Sequence, residues 1–432
     1  MNTRVQILLS TTSLLAYLVP LALLSGSFLP DLFISIISLI FLYLALTNRE
    51  WKYFKNFFFY IFITFYIYII INSLTSSNPF LSLESSFFYF RFGIFSLAIW
   101  FLIENNKNFI KNFYFVFLVT FLIVIFDGYY QYIYDINIFG IHSPGVRMNL
   151  LLNDKLVLGS YLSKLFPLLI ALVLLNNKKM IFFFPLFTLL FISIDILVYI
   201  SGERTAIIMI LLSNIFIISL ISKYKFLRII TLIISITIIA YISLTNQEIY
   251  NRNINHTIEQ FGFSSTEQTY KSFESNEKIV DNSSNKELFF FSPQHQSHYK
   301  TALNMFKNNL LKGVGPKLFR ELCKDELYNH NELSCSTHPH NIYLQLLAET
   351  GLFGFLIFLI FPIYLSSRVI GHLNSILFKK KINLNDYQVC LIACFFLTLW
   401  PIQPTNNFFD GWISIIYFLP IGFYLQSLEK NK

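Results

Sequence analysis

The sequence predicts an all-α integral membrane protein with about twelve transmembrane helices and one large, partly helical loop outside the membrane. Of its 432 residues, 55% are apolar, 18% are aromatic and only 13% are charged, whereas an ordinary soluble domain carries roughly 25% charged residues. The mean hydropathy of +0.57 is too high for soluble cores to bury so much apolar surface. Apolar runs near the ~20 residues that a spanning helix needs also recur along the whole chain.

The apolar runs divide the chain into three regions. Residues 1–245 hold nine predicted spans, residues 246–339 form the loop between spans nine and ten, and residues 340–432 hold the last three. The first run also has the form of a signal peptide, although no A-x-A cleavage site follows it, so its cleavage stays open. The predicted spans are residues 5–24, 32–46, 56–72, 86–103, 113–132, 156–175, 180–200, 205–221, 226–245, 342–365, 387–401 and 411–428.

The distribution of positive charge predicts the side of the membrane on which each connection lies. Seventeen Lys and Arg residues fall at the termini and alternate connections of one side, whereas the short connections around residues 26, 73–85 and 403–410 carry none. Cytoplasmic connections are enriched in Lys and Arg, so we expect cytoplasmic termini and the large loop on the outer side of the membrane. The net charge of +8 then requires no nucleic-acid partner. The seventeen cations are Arg4, Arg49, Lys52, Lys55, Lys107, Lys111, Lys178, Lys179, Lys223, Lys225, Arg228, Arg368, Lys379, Lys380, Lys381, Lys430 and Lys432.

The outer loop is predicted to have two different halves. The first half, from residue 246 to about residue 285, is polar and is predicted to be a loop or a mobile segment. In the second half, the apolar positions of residues 296–311 fit a helical stripe that ends at Gly313. Seven of the eight His residues lie on this outer side. Because imidazole exchanges protons near neutral pH, any chemistry is expected there, although a solvated loop explains most of these residues.

Two of the four Cys residues lie in the outer loop and predict a disulfide. Cys323 and Cys335 would pair in an oxidising compartment and close a short loop before the His-Pro-His segment. The alternative is a metal site that uses both Cys residues together with His338 and His340. Its C-x11-C-x2-H-x-H spacing matches no standard zinc pattern.

The most informative segment runs from His338 to Gly354. A polar loop ends at Pro339, and Asn341 is a suitable N-cap for the helix that enters the membrane. His340 is therefore expected at the water boundary, either as a proton acceptor or as a polar anchor at the membrane surface.

In this segment the sequence resembles the O-antigen ligase and polymerase superfamily of bacterial envelope glycan assembly. His340 and Asn341, nine residues, Gly351, two residues and Gly354 follow the family pattern H-N-x9-G-x-x-G. The order of the spans and the position of the loop are also similar. Two further segments share the resemblance, Gly-Val-Gly-Pro at residues 313–316 and Ser-Gly-Glu-Arg-Thr-Ala at residues 201–206.

The resemblance implies transfer of a glycan from an undecaprenyl-diphosphate carrier to an acceptor hydroxyl on the periplasmic side, without a metal or another cofactor. A diphosphate leaving group needs stabilisation of its charge more than it needs a proton, and fixed guanidinium groups can provide that stabilisation. The acceptor hydroxyl needs a base, and this role suits His340. The expected acceptor is a lipid A core sugar for a ligase, or a second carrier-linked glycan for a polymerase.

Further residues are predicted to bind the carrier diphosphate or the glycan. Arg204 and Arg147 are the main diphosphate candidates, and the alternative for each is a cation at the membrane interface. Many family members carry an Arg near the position of Lys300, which lacks the bidentate fork of a guanidinium. The remaining predicted contacts are Arg320, His338 and Asn341.

Three charged residues fall inside predicted spans and suggest a different class of function. Arg91, Lys164 and Asp195 each need a partner or an aqueous cavity. A polar-solute transporter would use them along its pathway, but it also predicts broken spans in two related halves, which the sequence does not have. The favoured function is therefore the O-antigen ligase, with the polymerase as the close alternative.

Overall fold

The computed structural model describes residues 3–143, 145–152, 155–176, 184–260, 292–379 and 383–429. Within these ranges the chain forms seventeen α-helices, and the only β-pairing is an isolated bridge between Ile136 and His142. The predicted helical class is therefore confirmed for the described residues. The helices are α1 (Thr3–Ala22), α2 (Phe28–Thr47), α3 (Phe57–Leu74), α4 (Pro79–Ser86), α5 (Phe90–Asn105), α6 (Phe109–Tyr134), α7 (Leu158–Asn176), α8 (Phe184–Ile200), α9 (Arg204–Leu220), α10 (Lys225–Thr245), α11 (Gln247–Tyr250), α12 (His256–Gln260), α13 (Pro293–Asn308), α14 (Phe319–Leu322), α15 (Ile342–Leu377), α16 (Asp386–Thr398) and α17 (Gly411–Glu429).

Each predicted span coincides with an apolar helix of the described chain. Nine helical segments there are long and apolar enough to cross a membrane, and three shorter apolar helices correspond to the remaining spans. The number of helices that cross the membrane stays a prediction. Two bounds differ from expectation. The fourth span begins at Pro79 because α4 leads into α5 through a short 3₁₀ helix, and the tenth continues to Leu377.

The bundle has central helices and peripheral ones. The helices α5, α7, α16 and α17 are buried along almost their whole length, and they pack in pairs, α5 against α17 and α7 against α16. Helix α10 instead exposes large apolar side chains, such as Leu244 at 85% and Ile233 at 59% exposure. Exposed apolar surface on a helix of this kind is typical of contact with lipid.

The connections at one end of the bundle are joined by backbone hydrogen bonds. The Met148 N–H donates to the Ser201 C=O at 3.2 Å, and the Thr405 N–H donates to the His340 C=O at 2.8 Å. Alternate connections therefore meet at one end, as the predicted topology requires. We call this end the outer end, and it contains residues 23–27, 73–86, 135–157, 201–203, 246–341 and 401–410, apart from those that the structure does not describe.

Two of the three charged residues expected inside spans form ion pairs. Arg228 Nη2 lies 2.7 Å from Asp195 Oδ1, with both side chains buried, and Arg91 Nη2 lies 2.8 Å from Asp31 Oδ2. Arg228, which was grouped with the cations of a cytoplasmic connection, is 3% exposed and lies in the first turn of α10 rather than in the connection itself. The third residue, Lys164, is buried near the carboxylate of Glu203.

The outer loop is more helical at its start than the sequence predicts. Residues 247–260 form α11, a π-helical turn at Asn251–Asn255, and α12, whereas a polar loop was expected. Asn246 begins this segment as an N-cap by accepting a hydrogen bond from the Ile249 N–H. Residues 261–291, which include the rest of the predicted mobile half, lie outside the described residues. Helix α13 covers Pro293–Asn308, close to the predicted helix at 296–311.

Helix α15 is interrupted at Gly351, and the outer loop fills the break. Gly351 has φ +62° and Gly313 has φ +70°. The two backbones touch, because a Cβ on Gly351 would lie 2.4 Å from the Gly313 nitrogen. The Val314 N–H donates to the Ala348 C=O at 2.9 Å, so the loop satisfies a carbonyl that the broken helix leaves unpaired. The glycines of the two family-like segments thus form one structural unit.

Candidate active site

His340 lies immediately before α15, and backbone contacts fix its position. Its φ of +58° is an uncommon left-handed conformation for a residue with a Cβ, and its C=O accepts the hydrogen bond from Thr405. Asn341 caps α15 by accepting from two N–H groups of the first turn, at 3.0 and 3.1 Å. Its Nδ2 also donates to the Pro401 C=O at 2.8 Å. The His340 ring is therefore held between the outer loop and the 401–410 connection.

Four imidazole rings cluster at this point. The ring centroid of His340 lies 4.1 Å from that of His338, 5.2 Å from that of His295 and 5.4 Å from that of His298. His295 and His298 are three residues apart on α13, so they share one face of that helix. The packing of α13 against α15 brings this face to the His-Pro-His segment. We call these four residues the histidine cluster.

His338 and His340 differ in the hydrogen bonds of their rings. His338 Nε2 lies 3.0 Å from the Thr405 C=O, which can only accept, so this nitrogen carries the proton. His338 Nδ1 then accepts from the Thr337 hydroxyl at 2.9 Å. His338 is also 7% exposed, whereas His340 is half-buried. His340 therefore has the more accessible ring of the two.

Burial keeps the histidine cluster uncharged at neutral pH. Burial, reinforced by the other three histidines, lowers the pKa of His340 to about 3. Burial likewise lowers the pKa of His338 to about 4 and the pKa of His295 to about 4, and it lowers the pKa of His298. A neutral imidazole is the form that accepts a proton, and a nearby anion would raise these pKa values toward their ordinary range.

A cavity lined by three guanidinium groups adjoins the histidine cluster. Arg147, Arg204 and Arg252 line it, and its empty volume of about 1020 Å³ includes its open mouth. His295 lines the same cavity. Burial and the charge of Arg147 lower the pKa of Arg252. Several guanidinium groups in one partly buried cavity are suited to a phosphate or diphosphate, because each can donate two parallel hydrogen bonds.

Gly202 allows Arg147 and Arg204 to line one cavity. Gly202 has φ +70°, and a Cβ at this position would lie 2.8 Å from the carbonyl oxygen of Val146. The connection that carries Arg147 therefore packs directly on the turn that begins α9 at Arg204. Arg147 and Arg204, which are far apart in the sequence, therefore line the same cavity because Gly202 has no side chain to hold the two segments apart.

Glu203 places one carboxylate in the lining of the same cavity. It is 5% exposed and accepts hydrogen bonds from the Ser160 hydroxyl at 2.6 Å and from the Ser160 N–H at 3.2 Å. It is also close enough to interact electrostatically with Arg147 and Lys164. Among the lining residues that the structure describes, three guanidinium groups therefore outnumber one carboxylate, which offsets part of the repulsion between the cations.

Four of the six predicted binding residues, Lys300, Arg320, His338 and Asn341, do not line the cavity. Arg320 lies near His338 and Glu349 instead. Lys300 follows His298 by two residues on α13, so it lies about 200° around the helix axis from that ring. The geometry therefore supports Arg147 and Arg204 more than it supports Arg320 or Lys300 as a diphosphate ligand.

Three residues of this site were not among the predicted ones. Arg252 lies in the segment expected to be a polar loop, and the capping residue Asn246 was the local signal for a helix there. His295 and His298 had the i, i+3 spacing of a shared helix face. Nothing in the sequence, however, indicated that this face packs against His340.

Cys323 and Cys335 are joined by a disulfide in the structure, with their Cα atoms 5.2 Å apart. Disulfide sulfurs carry no thiolate, so this arrangement does not provide the Cys ligands of the alternative metal site. Among the described residues, no group of three His, Cys, Asp or Glu side chains is arranged to hold a metal ion. The backbone of Cys335 lies against the His298 ring, so the bonded loop supports the histidine cluster directly.

Residues 185–359 match the family model described as O-antigen ligase. No curated protein matches the chain. The matched range contains Arg204, Arg252 and the whole histidine cluster, whereas Arg147 lies before it.

Proposed function

The chain belongs to the O-antigen ligase superfamily, and from this membership we propose that it transfers a glycan from an undecaprenyl-diphosphate carrier to a hydroxyl of a lipid A core sugar. The reaction takes place at the periplasmic face of the bacterial inner membrane. One observation carries the proposal: His295 lines the arginine cavity and its ring contacts that of His340. A site suited to an anionic leaving group thus adjoins a site suited to a proton acceptor.

The arginine cavity accounts for the departure of the carrier. As the bond between the anomeric carbon and the diphosphate oxygen breaks, its electron pair moves to that oxygen. Arg147, Arg204 and Arg252 line the cavity in which this charge would develop. Preorganised guanidinium groups in a partly buried site stabilise such a charge without rearrangement, so this step needs no metal ion.

His340 accounts for activation of the acceptor. It accepts the hydroxyl proton while the acceptor oxygen bonds to the anomeric carbon. The left-handed backbone at His340 and the cap at Asn341 hold the ring at the N-terminal end of α15. A base held in this way is positioned before the acceptor arrives.

A second cavity supports a lipid-linked donor. It is apolar, has an empty volume of about 960 Å³ that includes open space, and lies between α9, α15 and α16. Helix α9 borders both cavities, with Ile208 at the arginine cavity and Phe216 at the apolar one, about 12 Å further along the helix. Pro404 borders the first cavity and Pro401 the second. A diphosphate with an isoprenoid tail could therefore occupy both.

The polymerase is the close alternative, since it uses the same donor site and differs only in its acceptor. The transporter has less support. Arg228 neutralises Asp195 and Asp31 neutralises Arg91, so neither charge is left for a solute pathway.

The envelope glycan of a deletion strain tests the proposal and separates the two acceptors. We expect carrier-linked polymer to accumulate without attachment to lipid A core, and a plasmid copy of the gene to restore attachment. Lipid A core bearing a single repeat unit would indicate the polymerase instead. A normal glycan profile in the deletion strain would contradict both functions. A plasmid copy with Arg204→Lys keeps the charge but loses the bidentate fork, and we expect it to restore little attachment.

A further inference from the structure

His295 connects two parts of the site that have different chemistry. Its ring lines the arginine cavity, and its centroid lies 5.2 Å from that of His340. Ser292 Oγ lies 2.7 Å from His295 Nδ1 and accepts from the His295 N–H, so the first turn of α13 fixes the orientation of the ring. His298 also stacks on His340, at 5.4 Å, but it does not line the cavity.

The proposed reaction leaves a proton on His340 and a new negative charge on the diphosphate in the arginine cavity. His340 becomes positively charged when it accepts the hydroxyl proton, in surroundings where burial disfavours charge. The diphosphate released in the arginine cavity gains a negative charge at the same time. A second turnover requires that His340 lose its proton.

On the basis of the proposed function, we propose that His295 transfers this proton from His340 to the departing diphosphate. The acceptor O–H proton passes to His340 and then to His295, whose Nδ1 passes a proton through the Ser292 hydroxyl, which lines the same cavity, to the oxygen that has left the anomeric carbon. One carbon–oxygen bond forms, one breaks, and the carrier diphosphate leaves with the proton. No oxidant, reductant or other reactant is consumed.

The surroundings of His295 suit this role. The groups that face it include Ser292, His298 and Tyr299 of the α13 segment, His340 before α15, and Arg204 at the start of α9. Burial keeps the ring neutral, and a bound diphosphate would offset the charge of Arg204 during turnover.

The test is glycan transfer by purified full-length protein from synthetic undecaprenyl-diphosphate oligosaccharide to lipid A core or to a second donor molecule. His295→Gln is compared with the matched variant His298→Gln, which changes the same helix face without touching the cavity lining. We expect His295→Gln to lower kcat about 10²-fold, with little change in KM for the donor, and His298→Gln to lower it far less. Thermal unfolding of each variant controls for folding.

A chemical-rescue experiment distinguishes a relay from a packing role. Added imidazole should restore part of the transfer by His295→Ala, because a small free imidazole can occupy the space and carry the proton. A His295→Gln variant that alters only the KM for the donor, or that is no slower than His298→Gln, would overturn the relay. Transfer by the wild type in the same assay establishes that the proposed function holds. A wild type inactive with both acceptors would contradict the proposed function itself.

Discussion

The two histidines of the His-Pro-His-Asn segment have different surroundings although they are only two residues apart. His338 donates to the Thr405 C=O and accepts from the Thr337 hydroxyl, so both of its ring nitrogens are engaged. His340 also bonds to Thr405 through its backbone, because its C=O accepts from the Thr405 N–H. The intervening Pro339 restricts the local backbone and helps to direct the two rings differently. Their chemical roles are therefore expected to differ as well.

We predict that His340→Ala loses roughly 10²- to 10⁴-fold in the rate of glycan transfer, the range for removal of a general base. His338→Ala should lose much less, because both of its ring nitrogens are engaged by Thr405 and Thr337. The measurement is transfer from purified donor at equal amounts of folded protein. Near-normal transfer by His340→Ala would contradict the prediction and would indicate that His340 is a polar anchor at the membrane surface.

The histidine cluster also predicts a dependence of stability on pH. The folded-state pKa values of His295, His338 and His340 lie near 4, 4 and 3, below the ordinary value of 6.5. Between pH 6.5 and pH 4 the unfolded chain therefore binds protons that the folded chain does not, and the free energy of unfolding falls as the pH falls. The contribution is fully present above pH 6.5.

Thermal unfolding of purified protein from pH 7.5 to pH 4.5 checks this prediction. His340→Gln should flatten the acid-side loss relative to the wild type, because one of the depressed groups is removed. His330→Gln is the matched control, since His330 lies in the same loop with an exposed side chain. Equal slopes for His340→Gln and the wild type would contradict the prediction.

Part of this site was predictable from the sequence because two of its residues lie within short, recognisable motifs. The His-Asn pattern identified His340, and the Ser-Gly-Glu-Arg segment identified Arg204. Arg252 was not predicted, since its position depends on the packing of the 247–260 helices against Gly202, to whose C=O Arg252 Nε donates at 3.3 Å. A contact between residues 50 apart has no local signal.

At the level of elements, the broken helix α15 joins the membrane bundle to the outer loop. Its apolar pattern predicts a continuous helix, because a single Gly inside such a run is usually tolerated. The break at Gly351 follows from its contact with Gly313, which the sequence shows only as two separate glycine motifs. The existence of the span was therefore predictable, and its interruption was not.

We predict that Gly351→Ala destabilises the protein by roughly 2 to 4 kcal/mol, since an L residue at φ +62° is strained and its Cβ would collide with the Gly313 backbone. Gly371→Ala in the same helix is the matched control. Its nearest neighbour would be Asn383 Nδ2 at 3.4 Å, so it should be near neutral or slightly stabilising. Thermal unfolding in detergent measures both, and equal effects would contradict the role assigned to the break.

The disulfide between Cys323 and Cys335 is predicted to form in the native protein. Closing so short a loop contributes about 2 to 3 kcal/mol in the chain-entropy model. Mass analysis of unreduced peptides should recover the two residues cross-linked. Cys390 and Cys394, which are free and buried, provide the control, because they should react with a thiol reagent only after denaturation. Free thiols at 323 and 335 together with bound zinc would favour the metal site.

For the molecule as a whole, the alternation of apolar runs predicted the helices well because each run is long and contains few charges. The sides of the membrane rest on a different signal, the distribution of Lys and Arg. Arg228 shows the limit of that signal, since a buried ion pair with Asp195 cannot be distinguished in sequence from a cation at a helix end. The remaining cations still favour a cytoplasmic location for the end opposite the outer end.

This topology predicts that Lys307 faces the periplasm and that Lys107 faces the cytoplasm. Both residues are exposed, one on α13 and the other between α5 and α6. In the structure the native cysteines are either bonded or buried, so Lys307→Cys and Lys107→Cys each add one reactive thiol. A membrane-impermeant maleimide applied to intact spheroplasts should label only Lys307→Cys, and it should label both variants after lysis. Labelling of Lys107→Cys alone before lysis would invert the topology, and it would move the arginine cavity and the histidine cluster to the cytoplasmic face, where a periplasmic glycan transfer is impossible.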